Sequence, residues 1–217
     1  MISKILYPIA AILLLSGIMN SQNFRVVITS GYQLGGAVDE TEQEEGVFQW
    51  NDALGISGSA VFGSALGFRL SDKLEIELSW DRQFSRLNFY KGTGSGVEDR
   101  TVNKLSNLKV DYLLAGLIYD WSDQSLRPFA GIMAGIVRMI PNENFDTEAR
   151  FTLAPLIGIR LSLNHFLTLR AHSRFMITPV SAGKLFQSRN ENSFEYFHLE
   201  DSFMIQYQIG IGLSIKF

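Results

Sequence analysis

The sequence predicts an all-β protein, an eight-stranded antiparallel up-and-down β-barrel. Two observations predict it. After residue 22, apolar residues recur at every second position in eight separate runs, which is the periodicity of a β-strand. The connections between consecutive runs are alternately short and long, as in a sheet whose neighbouring strands run in opposite directions. The eight runs cover residues 24–34, 56–70, 74–84, 108–121, 127–139, 151–163, 166–177 and 203–217.

Composition narrows the function classes. The chain has 217 residues, with 19 Lys and Arg against 22 Asp and Glu, and a formal net charge of −3. This balance does not suit a nucleic-acid-binding domain, so we expect no nucleic-acid partner. The absence of cysteine excludes disulfides, thiolate metal sites and cysteine nucleophiles. The 16 Phe and 19 Gly, with only 5 Pro, favour strands over a helical bundle.

The first residues have the order of a secretory signal peptide. Lys4 is followed by an apolar stretch over residues 5–18 and then by small or polar residues. The alternative is an uncleaved anchor, but this stretch is shorter than the roughly 20 apolar residues of a spanning helix. We therefore expect an exported protein with a signal peptide at residues 1–21 and a barrel domain at residues 22–217.

The first three runs have two distinct faces. One face of each is apolar: Phe24, Val26, Ile28, Tyr32 and Leu34; Ile56, Ala60, Phe62, Leu66, Phe68 and Leu70; Leu74, Ile76, Leu78 and Trp80. The other faces carry glycine, polar and charged residues, among them Arg25, Gly31, Gly63, Arg69, Glu75, Glu77 and Asp81.

The fourth and fifth runs are ambiguous because both faces contain apolar residues. In the fourth we assign Val110, Tyr112, Leu114 and Ile118 to the apolar face, and Lys109, Asp111 and Ala115 to the other, although Leu113 and Leu117 are also apolar. In the fifth we assign Ala130, Ile132, Ala134 and Ile136 to the apolar face, and Gly131, Met133 and Gly135 to the other.

The last three runs again alternate clearly. Their apolar faces are Phe151, Leu153, Ile157, Ile159 and Leu161; Leu167, Leu169, Ala171, Phe175 and Ile177; and every second residue from Phe203 to Phe217. The opposite faces include Gly158, Arg160, Arg170, His172, Arg174 and Gly210.

The connections are of two kinds. The short ones lie at residues 71–73, 122–126 and 164–165, and the long ones at about 37–55, 88–104, 140–150 and 178–201. One end of the sheet therefore carries tight turns and the other carries loops. Outer-membrane barrels have this asymmetry, with short periplasmic turns and long external loops.

Periodicity alone leaves open which face points outwards. A soluble lipocalin-like barrel would turn its apolar face inwards. Charges of both signs among glycines suit instead a narrow lumen filled by side chains, and the apolar faces are free of charge over about nine residues, enough to cross a bilayer. Aromatic residues also collect near the strand ends as two girdles: Phe68, Trp121, Phe166 and Phe217 at the turn end, and Tyr32, Phe84 and Phe175 towards the loops. The sequence thus predicts a transmembrane barrel.

The signal peptide, the eight runs, the unequal connections and the final aromatic residue together resemble the small outer-membrane barrels of the OmpA/OmpX type, over residues 23–217. The segment LRPFAGIMAGI at 126–136 is similar to a strand start common in the outer membrane protein β-barrel (porin-family) superfamily. The resemblance implies the outer membrane of a Gram-negative cell envelope, with both termini periplasmic. It also implies contact with outer-membrane lipid and lipopolysaccharide.

The end of the chain, SIKF, resembles the C-terminal signal recognised by the outer-membrane insertion machinery. By this resemblance the machinery is a partner during assembly. The residues that would form the signal are Tyr207, Ile209, Leu213, Ile215 and Phe217.

The charged residues of the inward faces form the first candidate site. A ring of arginines could select anions in a channel, but a narrow lumen favours a buried network of ion pairs that plugs the barrel. We expect the glycines at 31, 63, 131, 158 and 210 to make room for the long arginine side chains. The predicted network is Arg25, Glu75, Glu77, Asp81, Lys109, Asp111, Arg160, Arg170, His172 and Arg174.

The sequence offers no catalytic constellation. His172 and Ser173 are adjacent on a strand and should point to opposite faces, so they cannot form a nucleophile–base pair. Their spacing also departs from the His-x-Ser pattern of lipid A deacylases. The acidic segment 37–55 lacks the regular spacing of a calcium loop and is expected to be solvated. We expect no catalytic residues, no metal and no cofactor.

Arg82 and Arg86 lie on the outer face just above the apolar part of the third run, where arginine would match lipopolysaccharide phosphates.

A structural or surface-interaction role is the favoured function. A component of a secretion or transport machine, like the PorT-like barrels, is an alternative that would use protein partners at loops 37–55 and 178–201. The remaining alternatives are a narrow channel and, ranked last, a lipid A-modifying enzyme.

Overall fold

The computed structural model describes residues 24–39, 53–92, 100–122, 124–142, 146–180, 183–184, 198–199 and 202–217. These residues form twelve strands: β1 (Phe24–Gln33), β2 (Gly36–Asp39), β3 (Ala53–Ile56), β4 (Ser59–Arg69), β5 (Leu74–Gly92), β6 (Arg100–Asp120), β7 (Leu126–Pro141), β8 (Glu148–Ser162), β9 (Leu167–Val180), β10 (Gly183–Lys184), β11 (His198–Leu199) and β12 (Ser202–Lys216). Within these ranges no helix is long and apolar enough to cross a membrane.

Eight of the strands close into an antiparallel barrel, as the sequence predicts. Around the barrel they follow the order β1, β4, β5, β6, β7, β8, β9 and β12. The last strand pairs with the first from Arg25–Lys216 to Gln33–Gln208. This pairing satisfies the backbone groups that two edge strands would otherwise present to the surroundings.

The two ends of the barrel differ. The tight turns between β4 and β5, β6 and β7, and β8 and β9 lie at the end that also holds Phe24 and Phe217, where the Phe217 amide donates to the Phe24 carbonyl at 3.0 Å. At the other end β5 and β6 extend to 19 and 21 residues. This is about twice the roughly 9–11 residues that a tilted strand needs to cross a bilayer. The β5–β6 hairpin therefore rises well beyond the apolar part of the barrel, and the short β2–β3 hairpin continues the wall beside it.

The outer surface of the barrel is apolar. Side chains that point outwards remain exposed, for example Ile28 at 65% and Ile211 at 68%. Every barrel strand contributes such residues, and they include Phe62, Leu66, Leu78, Trp80, Leu113, Leu117, Ile132, Ile136, Ile157, Ile159, Leu169, Phe175, Ile205, Ile209 and Leu213. A continuous apolar surface of this size suits lipid rather than water. The lipocalin-like alternative, with its apolar face inside, does not fit.

The register predicted for the fourth run is wrong. Val110, Tyr112 and Leu114 are fully buried in the interior, whereas Leu113 and Leu117 lie outside with about half of their surface exposed. Along residues 110–118 of β6 the interior is apolar rather than charged, because Met133 and Val137 of β7 pack there. Both faces of β6 are therefore apolar, and the assumption that the interior face is the polar one fails on this strand.

The predicted second run is divided in two. Ile56 ends β3 and is buried rather than lipid-facing. The pairing of β3 with β5 ends at Ile56–Leu87, and that of β4 with β5 begins at Val61–Gln83. The four residues 57–60 thus lie opposite the three residues 84–86. This extra residue is a β-bulge, a feature that locally interrupts the hydrogen-bond ladder.

Candidate functional site

Arg160 on β8 is the centre of a buried ion-pair network in the half of the interior near the tight turns. Its side chain is only 1% exposed. One terminal nitrogen lies 2.8 Å from Asp120 Oδ1, and the other lies 2.8 Å from Glu75 Oε1. Because Asp120 is on β6 and Glu75 is on the neighbouring strand β5, Arg160 reaches from β8 across the lumen to this part of the wall.

Further arginines complete the network. Arg25 Nη1 lies 2.9 Å from Glu75 Oε2, Arg170 donates to Glu77, and Arg69 Nη2 is 3.6 Å from Asp120 Oδ2. With the Arg174–Asp81 pair described below, the described residues bring five arginines together with four carboxylates, so nearly every buried charge is compensated. A buried ion that loses its partner is strongly destabilising, whereas a compensated set can fill an interior.

An aromatic ring is packed between two of the cations. The guanidinium carbons of Arg160 and Arg170 lie 4.7 and 4.8 Å from the centroid of Phe129. A cation over a ring face is favourable, and more so where water is excluded. Phe129 therefore fills space between two like charges and partly offsets their repulsion.

A second polar layer lies farther from the turns. Arg174 Nη2 is 2.7 Å from Asp81 Oδ2 and 2.7 Å from Gln208 Oε1. Beside it, Tyr112 accepts a hydrogen bond of 2.9 Å from Gln33 Nε2 and donates to Gln206. Side chains therefore occupy this level of the interior as well.

Most of the predicted network residues lie in the interior. These are Arg25, Glu75, Glu77, Asp81, Arg160, Arg170, His172 and Arg174. Lys109 and Asp111 do not: because the register of β6 is the reverse of the predicted one, both point outwards, and their assignment to the lumen is wrong. The network also includes Arg69, Asp120 and Phe129, which the predicted network omits. Asp120 lies two residues after Ile118 and shares its face, so the correct register of β6 is the signal that would have found it.

His172 is buried between Arg170 and Arg174, but no carboxylate in the described ranges pairs with it, and its Nδ1 has no hydrogen-bond partner there. Ser173 points to the other face, where its hydroxyl donates to the Tyr207 hydroxyl at 2.8 Å. The barrel wall thus separates His172 from Ser173, and these two residues cannot act as a nucleophile and its base.

Glycines make room in the lumen, but for other groups than expected. A methyl group at Gly210 would lie 2.7 Å from Cε1 of His172, one at Gly63 would meet the Asp81 carboxylate, and one at Gly158 would meet the Phe129 ring. The nearest side chains are thus a histidine, a carboxylate and an aromatic ring, rather than arginines.

A polar band surrounds part of the outer wall, on the loop side of the apolar surface. Arg82 holds Asp111 through two hydrogen bonds of 2.6 and 2.7 Å, and its guanidinium lies 5.2 Å from the Trp80 ring centroid. Arg138 is the register partner of Asp111 on β7.

A cavity of about 480 Å³ opens next to this band, where the β-bulge interrupts the wall. Its lining includes Ser57, Ser59, Phe84, Arg86 and Lys109. The site therefore combines two cationic side chains, hydroxyl groups and one exposed aromatic ring.

Four of the five residues of the predicted assembly signal lie on β12, and the fifth, Phe217, follows directly after it. Ile209, Leu213, Ile215 and Phe217 are exposed on the outer surface, and Tyr207 is half-buried there beside Phe175. Residues 1–21 lie outside the described residues. So do most of the loops 37–55 and 178–201, except for β2, β3, β10, β11 and the adjoining strand ends.

Comparison with known proteins supports the fold. No protein-family profile and no curated protein matches the sequence. Among solved structures, the chain is similar to the outer membrane protein OprG from Pseudomonas aeruginosa, with a TM-score of 0.60 at 12% identity over 90% of this chain and 96% of that one. It is also similar to Neisserial surface protein A (NspA), with a TM-score of 0.56 at 13% identity over 91% and 98% of the two chains. The chain thus has the fold of small outer-membrane β-barrels.

Proposed function

We propose that this protein is an integral outer-membrane protein with a structural or surface-interaction role, and that its lumen is plugged by the ion-pair network. The observation that carries the proposal is the position of Arg160, which is fully buried and joins carboxylates from two other strands across the lumen. A side chain in this position blocks the axis of a narrow barrel.

The apolar outer surface and the fold support the outer-membrane location. In this orientation the tight turns and both ends of the barrel domain face the periplasm, and the long β5–β6 hairpin faces outwards, as in barrels of this type. The signal peptide at residues 1–21 would direct export. The outward-facing residues of β12, ending with Phe217, would be read by the insertion machinery during assembly.

The narrow-channel alternative is less well supported. A channel needs a continuous aqueous path with sites that ions can enter and leave. In this barrel the arginines that could attract anions already hold carboxylates, and Phe129, Tyr112 and Met133 fill the neighbouring space. Both layers of the interior therefore oppose ion passage.

Planar-bilayer recording tests the plugged lumen. We expect the full mature chain, purified in detergent and inserted into a bilayer, to give no discrete conductance steps. The positive control is a double variant that removes the centre of the plug, Arg160→Ala with Phe129→Ala, recorded at the same protein density. Regular conductance steps from the unmodified protein would overturn the proposal.

We also propose that the barrel has no enzymatic activity. His172 and Ser173 lie on opposite faces, and Arg170 and Arg174 flank the imidazole. The buried carboxylates Glu75, Glu77, Asp81 and Asp120 are each paired with an arginine, so none of them is a free general base. Comparison of lipid A masses from cells with and without the protein checks this point, and a mass difference that disappears on deletion would contradict it.

A further inference from the structure

We infer that the cavity beside Arg86 and Lys109 binds the phosphate group of a lipid in the outer leaflet. The inference rests on the proposed outer-membrane location, and it deepens the expected contact with lipopolysaccharide by assigning that contact to particular residues. Arg82, the other arginine that the sequence suggests, is not part of this site.

The cavity exists because the wall is interrupted at the β-bulge. Between the β3–β5 and β4–β5 pairings, one backbone hydrogen bond, from the Ser57 amide to the Arg86 carbonyl, joins the strands at 3.0 Å. Side chains replace the missing ladder: Gln83 and Ser85 donate to the Ser57 carbonyl, and Asn88 donates to the Ser57 hydroxyl at 2.7 Å. These contacts hold the gap open in a fixed shape, so the site is formed before any ligand arrives.

Within the part of the chain that the structure describes, the charges of the cavity are uncompensated. Neither Arg86 nor Lys109 forms an ion pair with any residue in the described ranges, and both are exposed. Two exposed cations on neighbouring strands, with no carboxylate partner in the described ranges, supply the charged donors that a phosphate oxyanion requires.

Arg82 differs in this respect. Its Nε and one terminal nitrogen both bind the carboxylate of Asp111. A phosphate at Arg82 would have to displace or approach this anion, which costs free energy through repulsion. The two cations without an ion pair in the described ranges lie on the same two strands but nearer the loops: Arg86 on β5 and Lys109 on β6.

The position of the cavity favours a lipid over a free anion. Phe84 lines it, is 54% exposed, and is the register partner of Lys109 on the neighbouring strand. Below Phe84, towards the turns, the outer face of β5 continues with Arg82, which is paired with Asp111, and then with Trp80 and Leu78, both exposed. A lipid with its phosphate at Lys109 can therefore lay an acyl chain on an apolar surface, which inorganic phosphate cannot use.

The test compares phosphorylated lipid A with the same lipid A after its phosphates have been removed. Each is titrated into the full mature chain in a neutral detergent, and bound lipid is counted by native mass spectrometry. We expect the phosphorylated form to bind, and the double variant Arg86→Gln with Lys109→Gln to weaken this binding by about tenfold or more, because hydrogen bonds between charged groups are stronger than those between neutral ones.

The matched control is Arg138→Gln with Lys104→Gln. It removes the same charge from exposed positions at the same end of the barrel, outside the cavity lining. We expect it to bind like the unmodified chain. Equal weakening by both double variants, or equal binding of the two forms of lipid A, would overturn the inference.

A third arm distinguishes the two sources of phosphate. Inorganic phosphate is added as a competitor at millimolar concentration, and we expect lipid binding to persist. Complete displacement would identify a site for free anions and contradict the lipid assignment. Failure of the wider proposal is seen separately, because conductance by the unmodified protein would refute the plugged lumen without changing the lipid result.

Discussion

Individual side chains in the interior depend on one another. Each buried arginine loses its hydration on folding, and only the carboxylates and rings beside it compensate this loss. Arg160 is the most connected of them, with Asp120 and Glu75 at hydrogen-bond distance and Phe129 under its guanidinium. The network is therefore sensitive to the removal of any single member.

Replacing Arg160 by alanine tests this dependence. The variant leaves Asp120 and Glu75 without their principal partner, and we expect the free energy of unfolding to fall by about 3–5 kcal/mol. The measurement is urea-induced unfolding in lipid vesicles. Lys104→Ala, at an exposed position on β6, serves as the control and should change stability by no more than about 0.5 kcal/mol. Similar losses in the two variants would contradict a cooperative buried network.

The contact between Gly210 and His172 allows a second test. The three nearest atoms to a methyl group at Gly210 all belong to the His172 ring, so Gly210→Ala should overpack the lumen and cost about 1–3 kcal/mol. His172→Ala in the same chain should remove the clash.

We therefore expect the two substitutions to be non-additive in a double-mutant cycle, with a coupling of at least about 1 kcal/mol. Strictly additive effects on unfolding would show that His172 does not occupy the space next to Gly210.

Among the strands, β6 shows the limit of sequence reasoning. On β5 and β9 the inward face is identified by its charges, such as Glu75 and Arg170, and the prediction is correct. On β6 both faces are apolar over residues 110–118, so alternation specifies two faces without identifying the inner one. Lys109 and Asp111 then mislead, because they lie on the outer face but beyond the part of the strand that carries the apolar surface.

Spin labels along β6 test the corrected register. The chain contains no cysteine, so single cysteines can be introduced at residues 111–118 without background. We expect oxygen, which concentrates in lipid, to reach labels at Leu113, Ala115 and Leu117 most readily, and labels at Leu114 and Ile118 least. Maxima of oxygen accessibility at positions 112, 114 and 118 would instead support the register predicted from the sequence.

At the scale of the whole molecule, the sequence predicts the strand number, the order of the connections and the outward apolar face. These features follow from repeated local patterns, which every strand carries. The uneven interior does not follow, because it depends on contacts between strands far apart in the chain: Arg160 with Glu75, or Phe129 with Arg170. The same is true of the cavity at Arg86, which arises from a single extra residue in the wall near Ser57.

The central claim is that the barrel is a membrane protein with its apolar face towards lipid. The most direct measurement is gel mobility of unboiled and boiled samples after refolding, with and without lipid vesicles. We expect a fast-migrating folded band that forms only with vesicles and disappears on boiling, because the closed barrel resists detergent until heated and its outer surface needs lipid to fold. A folded band of equal intensity without lipid or detergent micelles, or no mobility shift on boiling, would contradict the claim.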